Sequence, residues 1–500
     1  MVDNLERNLG YKSLFYKIFF ITLSLKLFLA LFFPLTGDEA YFITTGKKFS
    51  LGYYEHPPFI WWYIYLISLL SKNGLHFFYY RLFSVFTTCI VSFLFLKLIN
   101  NDEKSYLLSS LFLLTPIHLL GFLITNDVPL FLFIFISAFF FYKGIKEERR
   151  KNFVFSGFFF GLSFLSKYFA VLYFLSILVY IILKNEKKFY FNFLIFLVFS
   201  LPFIFLNLYW NYTHCWINIL FNLVYRKKIS TFQLKNLVLF FLSLAFLLTP
   251  YSFYLFIKKK LFLFSENEID KFLVLLYVIP LFFFFIISFF RTVGLHWYIS
   301  FIPFILIMFK NLEKEIILKN LRVSVAFEIL IILPVIILLC LPPSIFKNQK
   351  NYSEIIMFLK GDSIWKYLKN YENDYILATT NYTDSAIMSY YSNRNFIVFG
   401  SLDHSGRQYD FTFDFKEIAG KNILIFSPRS INEEEFKIYF ENIKRETFTI
   451  EEATFYLLFC KKFNYEIYRE TILKKTYEKF YKIPDFLPAK GNFFKEKYNF

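Results

Sequence analysis

Residues 189–209, FYFNFLIFLVFSLPFIFLNLY, carry no charged side chain. At about 1.5 Å per residue, such a run is as long as the hydrocarbon core of a bilayer is thick. Ile18–Pro34 and Leu107–Thr125 approach the same length. A chain that repeats this pattern folds in a membrane, because water offers no way to cover so many long apolar segments. Composition agrees: 57% of the residues are hydrophobic, with 77 Phe and 37 Tyr, against about 45–50% apolar residues in soluble domains. No small-residue cleavage site follows the first apolar run, so it reads as a retained span and not as a signal peptide.

The formal net charge is +17. The basic residues are scattered between apolar runs and form no single patch, which argues against a nucleic-acid surface and fits cytoplasmic loops facing anionic lipid. The loops NDEK (101–104), KGIKEERRKN (143–152), KNEKK (184–188), KKK (258–260) and KNLEKEIILKN (310–320) read as cytoplasmic. Residues 35–76, TND (125–127), 210–234 and RTVGLHW (291–297) read as the opposite face. Residues 153–183 have basic loops at both ends and must therefore cross an even number of times. Two short helices turning at Ser166-Lys167-Tyr168 satisfy this and bring Lys167 near the outer face. About eleven spans follow, near 12–34, 77–99, 105–124, 128–142, 153–166, 169–183, 189–209, 235–257, 271–290, 294–309 and 323–342, with the N-terminus cytoplasmic and the C-terminus outside. Cys89, Cys215, Cys340 and Cys460 form no CxxC pair and imply neither a metal cluster nor a disulfide framework.

After LPPSIF (341–346) the chain becomes rich in Lys, Asn, Glu and Tyr. The short apolar runs YILATT (375–380), NFIVFG (395–400) and NILIFS (422–427) read as strands between helical patterns. The expected organisation is a polytopic α-helical membrane domain over 1–346 and a soluble α/β domain over 347–500.

The polar residues collect on the outer face. LTGDEAYF…GYYEHPPFIWW (35–62) sets Asp38, Glu39, Glu55 and His56 directly after the first span, before an aromatic stretch that reads as an interfacial helix. Asp38 suits two roles: capping a helix that begins near Ala40, or accepting a proton. Asp127, Arg81, Lys167, Arg226, Arg291, His214 and His296 fall on or near the same face. Two carboxylates among cations under an aromatic rim suit an anionic lipid headgroup and a nucleophile that needs a base. Lys26, inside the first span, is the main ionisable exception. GRQYDF (406–411) suits acceptor recognition by the outer domain, or its Arg407 and Asp410 pair with each other on a surface loop.

GDEAYF, GYYEHPPFIWW and RLFSVF resemble the first outer loop and second span of the polyprenyl-phosphate-dependent glycosyltransferases of the GT-C fold. These include the lipid A aminoarabinose and lipopolysaccharide galacturonic acid transferases and, more distantly, the protein O-mannosyltransferases. The resemblance continues through ITNDVPLFLF (124–133), GFFFGLSFLSKYFAVL (157–172), LYWNYTHCWINILFNL (208–223), VGLHWYISFIPFI (293–305) and NYTDSAIMSYY…GRQYDF (381–411). It implies inverting transfer of a sugar from a polyprenyl-phosphate donor to a lipid, glycan or protein acceptor at the outer face of a bacterial inner membrane. Asp38 and Asp127 take the positions of the family's loop aspartates and are the expected catalytic residues. His56, Arg81, Lys167, Arg226 and Arg291 are the expected phosphate ligands, and Glu39, Tyr54, Tyr168, His214, His296 and Trp297 the expected lining of the substrate cavity. His56 stands where the aminoarabinose transferases have Lys, which leaves Glu55 and His56 as alternative ligands of a divalent metal ion. A transporter or flippase for a lipid-linked sugar is the competing class; it calls for charges near the midplane and inverted repeats. A non-catalytic assembly or receptor subunit that uses its outer domain is a third.

Overall fold

The computed structural model describes the chain except residues 1, 72–73, 100–101, 226–231, 264–266 and 401–406. In chain order its main helices are α1 (Val2–Phe32), α2 (Gly37–Gly46), α3 (Phe59–Ser68), α4 (Phe77–Leu98), α5 (Glu103–Leu113), α6 (Pro116–Leu120), α7 (Asp127–Glu147), α8 (Arg150–Phe164), α9 (Ala170–Lys184) and α10 (Lys187–Thr213). Then follow α11 (Ile217–Leu220), α12 (Leu234–Leu248), α13 (Pro250–Lys258), α14 (Glu268–Ser288), α15 (Ile302–Met308), α16 (Lys314–Cys340), α17 (Tyr352–Leu368) and α18 (Tyr382–Ser392). Two compact units result. One comprises Met1–Phe33, Phe78–Leu206 and Lys228–Leu339; the other comprises Pro34–Phe77, Asn207–Lys227 and Cys340–Phe500.

The first unit is helical. Six described helices are long and apolar enough to cross a membrane, and the bent pair α12–α13 makes up to seven. The expected count of about eleven is not reached by that criterion, for local reasons. Pro116 splits 105–124 into α5 and α6, since proline cannot continue the hydrogen-bond ladder. Residues 294–309 contain a short 3-10 turn and α15, which begins at Ile302 with Pro303 in its first turn and runs into a second 3-10 turn at Phe309. At Thr249-Pro250 the chain turns by 109°, with Thr249 at φ 70°. Residues 153–183 form α8 and α9, separated at 165–169 where the turn is expected.

Helix packing in this unit follows small and polar residues. A Cβ on Gly157 of α8 would lie 2.2 Å from the Phe196 carbonyl oxygen of α10, so only glycine allows that approach. Ser137 of α7 donates to the Ser156 carbonyl at 2.8 Å and lies 2.9 Å from the Tyr173 hydroxyl of α9. Leu29, Ala30, Val85, Leu119 and Ile332 form one of its apolar clusters.

In the second unit the predicted strands appear as β1 (Ile376–Thr379), β2 (Ile397–Val398) and β3 (Ile423–Ser427). A long hairpin, β4 (Phe440–Ile450) and β5 (Ala453–Phe463), completes a five-stranded sheet of order β2-β1-β3-β5-β4. The first three strands run parallel, and β5 joins β3 antiparallel. The loop 34–77 belongs to this unit. Its α2 lies on α18 so closely that a Cβ on Gly37 would meet Thr383 at 2.4 Å. Tyr54, Trp210, Ile217 and Phe221 share the sheet's hydrophobic core with Ile397, Phe399 and Ile425.

Candidate functional site

The two adjacent acids after the first span have different tasks. Thr36 is the N-cap of α2 and accepts the Glu39 backbone N–H at 3.3 Å. Glu39 reaches back to the Thr36 backbone N–H at 3.2 Å and accepts its hydroxyl at 3.0 Å. This capping box buries Glu39 completely. Glu39, expected to line the substrate cavity, is therefore committed to the helix start. Asp38, in the first turn, is not the cap. Its side chain is exposed and has no hydrogen bond or ion pair among the described residues. The capping demand is met without it, which leaves its carboxylate available for chemistry.

The turn at Glu55 is built from three distant segments of the second unit. Tyr41 donates to both Glu55 carboxylate oxygens at 2.6 Å. Arg407 meets Glu55 Oε1 at 3.2 Å and stacks over the Tyr382 ring at 3.9 Å. Asn218 donates to the Tyr53 carbonyl at 2.8 Å, and Asn222 to that of Glu55 at 2.6 Å. Gly52 lies flat on Trp210, where a Cβ would come within 2.1 Å of the indole. Burial raises the Glu55 carboxyl above its ordinary range, and Arg407 and Tyr41 oppose that rise by favouring its charge. Arg407 is pushed further up by the same pairing, against its own burial, and stays charged.

Several expectations for this unit change as a result. Tyr54 is a fully buried residue of the sheet's core, held by its backbone N–H to Gln408 at 3.0 Å. His214 stacks on Trp210 at 4.3 Å, with Nδ1 2.9 Å from the Trp210 carbonyl oxygen, and serves packing at the end of α10. His56 is half-buried beside Pro57. A metal ion at Glu55 would share the carboxylate that Arg407 already meets. Among the described residues no group of three His, Cys, Asp or Glu side chains is placed to hold a metal ion. Arg407 and Asp410 do not pair with each other: Asp410 accepts the Tyr481 hydroxyl at 2.7 Å. Sequence reading missed Tyr41 and the pairing of Arg407 with Glu55. A buried Glu55 required a cation, but nothing local showed that it comes from 352 residues away.

In the first unit four expected residues come together. Asp127 opens α7, and the Lys167 ammonium, from the turn between α8 and α9, reaches its Oδ1 at 2.7 Å. Both side chains are only 9% exposed, so the pair is largely withdrawn from solvent. The same ammonium sits 5.1 Å from the Phe169 ring, Phe169 packs edge-on against Trp297 at 4.8 Å, and Arg291 lies 5.0 Å over Trp297. Two cations thus bracket an aromatic pair beside a carboxylate. Tyr168 is half-buried in the same turn, and His296 is exposed next to Trp297. Arg81 stands apart from this cluster. It is fully buried and donates to the carbonyls of Ala30 at 3.0 Å and Phe33 at 2.7 Å, closing the C-terminal end of α1. Arg226 lies outside the described residues.

Comparison with known proteins agrees with this architecture. Residues 55–210 match the model of the dolichyl-phosphate-mannose-protein mannosyltransferase family. ArnT from Cupriavidus metallidurans, in a crystal structure of its apo state, matches with a TM-score of 0.58 and 13% identity, over 90% of this chain and 98% of that one. No curated protein matches the sequence. The chain has the GT-C fold, with a small sheet near its C-terminus, and resembles the glycosyltransferases that share it.

Proposed function

We propose that this GT-C-type protein is an inverting glycosyltransferase that moves a sugar from a polyprenyl-phosphate carrier to an envelope acceptor at the outer face of a bacterial inner membrane. One observation carries the reading: Asp38 is exposed and unpaired while its neighbour Glu39 caps the helix. A carboxylate that the fold does not use, at the position of the family's loop aspartate, is suited to general-base work.

Asp38 takes the proton of the acceptor hydroxyl as its oxygen bonds to the anomeric carbon. The bond from that carbon to the phosphate oxygen breaks, and its electron pair stays on the phosphate. The leaving polyprenyl phosphate is a weak base and requires no general acid. Its charge grows during the step, so catalysis depends on cations placed beforehand. Lys167 and Arg291 are the cations assigned this task, with Asp127 orienting Lys167.

Mass spectrometry of envelope lipids, including lipid A, from cells with and without the protein tests this. A fixed mass difference of one sugar on one acceptor is expected. Identical envelope glycans, with a lipid-linked sugar accumulating on the cytoplasmic side of cells lacking the protein, would favour the transporter reading instead.

A further inference from the structure

Lys26 occupies the first span six residues before its end, about 9 Å along the helix axis from Phe32. It is 1% exposed. The Thr88 hydroxyl is its hydrogen-bond partner, and among the described residues no carboxylate lies within ion-pair distance of it. His118 of α6 is 2% exposed, and neither ring nitrogen has a partner among the described residues. The Thr87 hydroxyl, also buried, is likewise unpartnered. These groups are not scattered. Lys26, Thr87, Thr88 and His118 line one cavity of about 160 Å³ inside the first unit, together with Asp127 and His296. The remaining walls are mainly apolar.

An uncompensated ammonium at membrane depth is costly, and a buried imidazole without hydrogen bonds adds to that cost. An anion in the cavity removes both. Lys26 and a His118 N–H donate to it, as does Thr87. The one carboxylate on the wall, Asp127, is already neutralised by Lys167. At roughly 30 Å³ per water the volume corresponds to about five waters, which is room for a phosphoryl group. Apolar walls suit a phosphate carried on an aliphatic chain better than a hydrated free ion.

We infer that this cavity is the seat of the carrier's phosphate, with Lys26 and His118 as its innermost ligands. This rests on the glycosyltransferase reading above and names its phosphate site. The carrier is a monoanionic diester before transfer and a dianionic monoester afterwards, so a fixed buried ammonium favours the product side of the step.

The full-length protein in nanodiscs is titrated with polyprenyl phosphate, with polyprenol and with inorganic phosphate, and binding is read by native mass spectrometry and by thermal stabilisation. Wild type is expected to bind polyprenyl phosphate at least about tenfold more tightly than either control. Lys26→Met is expected to lose about tenfold or more in that affinity, Lys26→Arg to keep most of it, and His118→Phe to lose less. Without ligand, Lys26→Met should melt at or above the wild-type temperature, because an uncompensated buried charge has been removed. Wild-type affinity in Lys26→Met overturns the assignment and leaves the glycosyltransferase reading intact. A lower ligand-free melting temperature in that variant marks the ammonium as structural and also overturns it. Equal Lys26-dependent binding of inorganic phosphate assigns the cavity to the free ion, against the lipid. A wild-type protein that ignores polyprenyl phosphate sinks both readings.

Discussion

Glu55 and Arg407 in the second unit, and Asp127 and Lys167 in the first, are both buried ion pairs beside residues expected to act in catalysis. They are built differently. Arg407 is held between Glu55 and the Tyr382 face, while Tyr41 occupies both carboxylate oxygens. Gln408 donates its backbone N–H to the Tyr41 hydroxyl at 3.1 Å and so ties in the next residue as well. A planar guanidinium stacked on an aromatic face and paired through one nitrogen has a restricted geometry and holds a loop in place. Lys167 contributes a compact ammonium at the end of a flexible stem, with one close carboxylate and an aromatic wall. Such a point charge imposes no fork geometry and can turn toward a second anion while it keeps Asp127. Burial of an ion pair is therefore not enough to assign a role. The Glu55 pair is read as scaffold, and the Asp127 pair as machinery.

If that contrast is right, free or redirectable charges govern turnover and fixed charges govern stability. Asp38→Asn is the widest test. General-base loss should lower turnover by about 10²–10⁴-fold, with melting temperature unchanged because Thr36 and Glu39 supply the cap. Turnover of purified enzyme near the wild-type rate would remove Asp38 from the chemistry.

Arg407→Met should act on the other side of the contrast. It strands a buried carboxylate, which costs about 3–5 kcal/mol. The double variant with Glu55→Gln should recover much of the loss. Denaturation of both variants measures this; a folded Arg407→Met that is inactive yet as stable as wild type would move the pair from scaffold to machinery.

A third buried acid, Asp384, sharpens the comparison because it has less help. It is fully buried and 3.8 Å from Arg429, and burial raises its carboxyl from 3.8 to about 6 while Arg429 opposes the rise. A folded-state value above the unfolded one means that the stability contribution is complete below about pH 3.8 and is lost as pH rises through about 6. Asp384→Asn should therefore match wild type near pH 4 and gain up to about 3 kcal/mol above pH 7. Melting temperatures across that range check it; a constant offset would refute the titration.

Lys167→Ala carries the smallest expected effect. Loss of one charge-assisted contact should weaken donor binding about tenfold; in an Asp127→Asn background, where no buried carboxylate is stranded, the stability change should stay well below that of Arg407→Met. The reverse ranking in a melting series would collapse the distinction between the two pairs.

The sequence by itself determined the membrane class, because runs such as 189–209 have no alternative solvent. It also determined the α8–α9 hairpin, since loop charge and span length left no other even crossing, and the strands near 376, 397 and 423, which are short apolar runs between turns; that they pair in parallel came from the fold. Asp127, Lys167, Arg291 and Trp297 were named from loop position and resemblance, and the fold brings these four together. Local chemistry did not separate Asp38 from Glu39: both precede a helix, and only the observed start at Gly37 decides which acid caps it. The partners of Glu55, the burial of Tyr54 and the use of Arg81 at the end of α1 were decided by tertiary structure. Each depends on a contact between segments far apart in the chain, and local spacing carries no information about which distant segment meets a buried polar group. The same reason hid the Lys26 cavity. Lys26, Thr88 and His118 look like isolated polar interruptions in three apolar runs, and helix packing alone makes them neighbours.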